Sequence, residues 1–170
     1  MFGSWSNTAR SSPSPKGAEQ ITEAVRTHLP NADEETVRVV TCIAGLLGSI
    51  AYADRDYSTV EEERVRAELA RIEGMPEAGI DAIAEALRRH IVEVSTIEAQ
   101  RYCRSLRELT DRELRVQLLG VFVDVAAADG VISLAEVTVL RQVTTSLGLD
   151  QADYNAAQER HRDKLGTLRK

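Results

Sequence analysis

Two stretches of this chain, Val39 to Ala53 and Val116 to Ala128, are apolar on nearly every side for about four turns of helix. A helix of that kind must be covered all round, so a chain holding two of them is committed to layers of helices packed about both. Each stretch runs into an aspartate, Asp54 or Asp129, then a short loop, then an amphipathic segment that opens on S-x-x-E: Ser58 with Glu61, and Ser133 with Glu136. In that motif hydroxyl and carboxylate each satisfy a backbone N–H that the first turn leaves unpaired. Laid over each other at a constant offset of 75 residues, the halves align Asp54 with Asp129, Ser58 with Ser133, Glu61 with Glu136 and Arg66 with Arg141. The pattern predicts a duplicated helix-loop-helix about a pseudo-twofold axis. The offset also pairs Gly45 with Gly120, and a glycine inside a helix predicts close approach of another backbone.

The remaining text reads as further helices. They are expected at about Ala18 to His28, Pro76 to Val94, Thr96 to Leu109 and Gln151 to Leu168, with the central segments at Asp33 to Asp54 and Thr110 to Asp129 and their followers at Ser58 to Glu73 and Ser133 to Leu147. Thr110 with Glu113 reads as a third capping box. Pro76 suits a first helical turn, and Gly74 and Gly148 are placed to end the followers in left-handed conformation. With only 4% aromatic residues and abundant Ala, Leu, Val and Glu, the chain is expected to be an all-α single domain of seven or eight helices over residues 18–170. Residues 1–17, rich in Ser and Pro, are expected to be a disordered tail whose Phe2 and Trp5 offer loose apolar anchors.

The net charge of −6 and a pI near 5.2 argue against nucleic acid, whose affinity rests on Lys and Arg displacing counterions. No run approaches the ~18–20 apolar residues of a spanning helix, and the N-terminus lacks an apolar signal core, so a cytoplasmic protein with no integral membrane segment is expected. Cys42 and Cys103 fall in apolar helical patterns without metal-ligand spacing and read as reduced core residues. His28, His90 and His161 sit near a proline or among charges and read as surface residues or helix C-terminal cations. With no nucleophile placed beside a base and no phosphate loop, the chain is expected not to be an enzyme.

The candidate chemistry lies in the loops. An EF-hand takes oxygen ligands at positions 1, 3, 5, 7 and 9, a glycine at 6 and a bidentate glutamate at 12. In the second loop Asp129, Gly130, Ser133 and Glu136 fall at positions 5, 6, 9 and 12, but positions 1 and 3 are Val125 and Ala127. In the first loop those two places are Ile50 and Tyr52, and the glycine is Arg55. Neither loop is an independent EF-hand. Brought together by the pseudo-twofold, Asp54, Glu61, Asp129 and Glu136 would supply four carboxylates for a hard divalent cation, Ca²⁺ or Mg²⁺. The alternative is that Glu61 and Glu136 only cap helices and the aspartates only end them.

The stretches "AYADRDYSTVEEE" and "AAADGVISLAE…LRQVTTSLGLDQADY" resemble the TerB-like domains of tellurite-resistance proteins, a duplicated helical fold similar also to the N-terminal domain of DjlA-type co-chaperones. The most specific part is A-D-G-x-I-S-x-x-E at Ala128 to Glu136, followed by L-G-L at Leu147 to Leu149, and the resemblance spans about Asp33 to His161. It implies an acidic, metal-binding surface on Asp54, Glu61, Asp129 and Glu136 and a place in a bacterial stress-response assembly with a protein partner. Arg55 departs from the family's more frequent glycine, and its guanidinium is placed to pair with Asp54 or Asp56. Tellurite is itself an oxyanion that an acidic surface repels, so a role in resistance would be indirect. Against this reading stand a purely structural, co-chaperone-like interaction domain and a small hydrolase with carboxylate-held metal.

Overall fold

The computed structural model describes residues 16–162. Eight α-helices follow one another: α1 Lys16–His28, α2 Glu34–Ala51, α3 Thr59–Leu69, α4 Glu77–Glu93, α5 Ala99–Leu109, α6 Arg112–Ala126, α7 Leu134–Ser146 and α8 Gln151–Glu159. A π-helical turn, Val94–Glu98, joins α4 to α5. The all-α duplicated architecture expected from the sequence is the one observed.

The first apolar stretch becomes the hub. From Thr41 to Ala51 every residue of α2 except Ile43 is buried, and α2 packs on α1, α3, α4, α5, α6 and α7. Covering an aliphatic side chain on all sides stabilises by roughly 1.5–3 kcal/mol, which makes this row a large share of the fold's driving force. The second stretch is covered less completely. In α6, Leu118, Leu119, Phe122, Val123, Val125 and Ala126 are buried, whereas Val116 and Val121 are half-buried under α8 and its neighbours. The pseudo-twofold appears in the packing: α2 meets α3 as α6 meets α7, and α2 meets α7 as α3 meets α6.

Several local expectations are corrected. Thr110 does not cap α6: its hydroxyl donates to the Leu106 carbonyl, and Asp111, one residue on, is the N-cap, accepting from the Leu114 N–H at 2.8 Å. The Thr110 side chain is drawn back to the preceding helix, and the Asp111 carboxylate then faces the free N–H groups. No break separates α4 from α5. The Ser95 and Thr96 hydroxyls both donate to the Val92 carbonyl, at 3.2 and 2.6 Å, and the chain widens into the π turn there. Gly45 admits an aromatic ring, not a backbone: a Cβ there would lie 2.1 Å from Tyr102 Cε2, while at Gly120 it would meet only Arg160 Nη2 at 3.1 Å. Gly17, assigned to the tail by sequence, is helical and donates its N–H to Glu93 at 2.7 Å. Helix α8 closes at Glu159 rather than continuing toward Leu168. Phe2, Trp5 and residues 163–170 lie outside the described residues.

Candidate functional site

The two loops between α2 and α3 and between α6 and α7 are the same structure built twice. Tyr52 and Ala127 end their helices with N–H groups donated to Gly48 and Val123. Arg55 and Gly130, at the same offset, both adopt left-handed backbone with φ of 69° and 94°, and both donate N–H to the residue three earlier. Asp54 then accepts from the Asp56 N–H at 2.9 Å, and Asp129 from the Val131 N–H at 3.0 Å. The expected capping boxes close both loops. Ser58 and Ser133 accept from Glu61 and Glu136 N–H at 3.2 Å, and the glutamates' Oε2 accept in return from the serine N–H at 3.0 and 2.6 Å. The repeat therefore extends from residue types to individual hydrogen bonds.

These caps are buried, which ordinary capping boxes on a solvated face are not. Glu61 is 3% and Glu136 2% exposed. Burial raises the pKa of both; the serine hydrogen bonds lower it, and neighbouring carboxylates raise it again. For Glu61 those neighbours are Asp54 and Asp129, and for Glu136 they are Asp129 and Glu61. Glu136 is pushed up to about 7. Carboxylates 75 residues apart thus lie within each other's field, so the fold sets the two loops side by side.

Several acids elsewhere in the fold meet arginines, while others, such as Asp56, Glu63 and Glu77, make no ion pair among the described residues. Glu62 pairs with Arg88, Asp81 with Arg66, Asp153 with Arg112, and the buried Glu68 with both Arg64 and Arg71. Among the described residues Asp54, Glu61, Asp129 and Glu136 make no ion pair. Arg55, which the sequence placed to neutralise Asp54 or Asp56, pairs with neither among the described residues and lines a cleft together with Tyr52 and Ala53. Oxygen-only donors suit a hard cation, and Oε1 of each glutamate accepts no hydrogen bond among the described residues. Asp54 and Asp129 are exposed, however, and no group of three or more Asp, Glu, His or Cys side chains is gathered at ligating distance among the described residues.

A second charged cluster was not anticipated. Asp124 of α6 lies 2.7 Å from His161 Nε2, 3.2 Å from Arg160 Nη2 and 3.8 Å from Arg64 Nη2. It fastens the end of α8 to α6, so His161 stands at a helix C-terminus, one of the two places expected for it, but is half-buried against Asp124 and not on open surface. The available signal was an acid inside an otherwise apolar helix, but its partner 37 residues away could not be read from spacing. His90 lies in the last turn of α4, one of the two places expected for it, but its Nε2 is buried without a hydrogen-bond partner among the described residues where α4 bends, φ −123° and ψ 20°. Cys42 and Cys103 are buried free thiols, pushed up to about 11 and about 12 by burial.

The family model described as "Tellurite resistance protein TerB" matches residues 40–159, a span that holds both loops and all four carboxylates. No curated protein and no solved structure matches the chain.

Proposed function

The chain belongs to the TerB family, and on that premise we propose that it is a non-enzymatic binding module whose paired loops take a divalent cation, Ca²⁺ or Mg²⁺, in a bacterial stress-response assembly. The observation that carries this reading is the pair of buried capping glutamates, Glu61 and Glu136, each within the field of the other loop's acids and neither paired with a cationic side chain among the described residues. A cation placed among Asp54, Glu61, Asp129 and Glu136 would offset their repulsion. The exposed aspartates would have to turn inward, so weak affinity is expected, in the ~10⁻⁴–10⁻³ M range of loosely organised sites.

The test is calorimetric titration of the chelator-stripped chain with Ca²⁺ and with Mg²⁺, beside the double variant Asp129→Asn, Glu136→Gln. Both replacements keep the loop and cap hydrogen bonds available, so the variant retains the fold. Saturable heat in the wild type and none in the variant is expected. No heat at about 10 mM cation, or equal heat in both proteins, overturns the cation site.

One observation favours the second reading, a protein-interaction domain without metal. Each acid already holds a backbone N–H of its own loop. On that reading the four carboxylates only shape two loops, and the wild type and the double variant behave alike toward cations.

A further inference from the structure

Arg55 is the point at which the two loops differ most. In the second loop the left-handed position is a glycine, while in the first an arginine holds that conformation, which disfavours any side chain. Arg55 borders a partly open cleft of about 250 Å³ between the end of α2, the π-helical turn, α5 and α7. That volume sits just below the ~300 Å³ at which small-molecule sites begin, so any occupant is small.

The lining of this cleft departs from the acidic character of the molecule. Among the described residues no acid lines it. Its apolar lining comes from Ala99, Val139 and Val143, with the fully buried Cys103 beneath them. Its walls hold polar groups with capacity to spare. Ser95 and Thr96 have committed their protons to the Val92 carbonyl, so each hydroxyl oxygen is left to accept. Gln100 accepts from Ser146 through its oxygen at 3.0 Å, so its amide N–H₂ is left to donate, and Gln142 faces the same space. A π turn forming one wall is a further mark, since such turns concentrate at functional sites.

We infer that this cleft binds a small monocarboxylate that also carries a hydroxyl or amino group, with Arg55 and Gln100 donating to the carboxylate and Ser95 and Thr96 accepting from the second group. Guanidinium and amide together offer the planar set of donors that a carboxylate accepts. Asp54 and Asp56 flank Arg55 in sequence without pairing with it, and their field weighs more heavily against a doubly charged phosphate than against a single carboxylate.

The test is amide NMR of the full chain in chelator, titrated with L-lactate, L-threonine and inorganic phosphate. Saturable shifts confined to residues 49–55, 95–100 and 139–143 are expected with at least one of the two carboxylates. Arg55→Gly, which suits the backbone at that position, weakens binding at least tenfold by removing a charged hydrogen bond. Ala99→Leu, which narrows the cleft, abolishes it, and the spectrum itself reports that the fold survives. No saturable shift with either carboxylate at about 50 mM overturns the site, as do unchanged affinity in Arg55→Gly and tighter binding of phosphate than of the carboxylates.

Discussion

Glu136 couples the stability of this protein to pH in an unusual direction. Its carboxyl, ordinarily near 4.5, is raised to about 7 in the folded chain, first by burial and then by Asp129 and Glu61. Between those two values the folded state holds a proton that the unfolded chain has released, so stability falls as pH rises. The contribution is fully present below pH 4.5, declines by up to about 1.4 kcal/mol for each pH unit, and is lost once pH passes about 7. Across the whole window the loss amounts to about 3 kcal/mol, a large part of the stability of a domain this size. Glu136→Gln keeps an amide able to close the capping box but has no proton to lose. Urea unfolding in chelator at pH 5, 6, 7 and 8 is therefore expected to show the wild type weakening with pH and the variant weakening much less, ending about 2–3 kcal/mol more stable at pH 8. Chelator keeps cations from holding Glu136 ionised. Parallel curves for the two proteins, or a variant less stable than wild type at pH 8, would refute the assignment of this buried carboxylate.

Gly45→Ala drives a methyl into the Tyr102 ring, where the contact would be 2.1 Å, and is expected to cost about 1–3 kcal/mol; Gly120→Ala meets only the end of Arg160 and should be neutral or stabilising by up to about 1 kcal/mol. Chemical unfolding of the two variants checks the contrast, and equal losses would contradict the packing. Asp111→Ala removes the true cap of α6 and is expected to cost about 1 kcal/mol in the same assay, while Thr110→Ala costs less. The reverse order would restore Thr110 as the cap. Native protein at pH 8 is expected to react with a thiol alkylating reagent only as fast as it opens, because both cysteines are buried and their thiols stay protonated; rapid labelling would show an accessible thiolate.

The helical class, the duplication and both Ser–Glu caps were legible because each is written in local spacing: the apolar run, the S-x-x-E, the glycine that ends a follower. These choices are made over three to four residues, where backbone satisfaction and side-chain period act directly. The sequence misjudged what depends on competition between neighbours. Thr110 and Asp111 both suited the cap of α6, and only the pull of the Leu106 carbonyl on the threonine hydroxyl decided between them. Spacing puts a break between Val94 and Thr96, whereas the Val92 carbonyl holds the Ser95 and Thr96 hydroxyls and the helix runs on through a π turn.

Of the candidate site, local spacing is enough to show which four carboxylates occupy matching places at the start and end of two corresponding loops. Tertiary structure alone decided that the glutamates are buried, that Asp129 lies in the field of both, and that Arg55 faces a cleft instead of its aspartate neighbours. A capping hydrogen bond is a local event, complete within one turn. The charge a carboxylate experiences depends on which other segments of the chain exclude water from it. For Glu61 and Glu136 those segments lie 75 residues apart, and the packing of α2 against α6 brings them together.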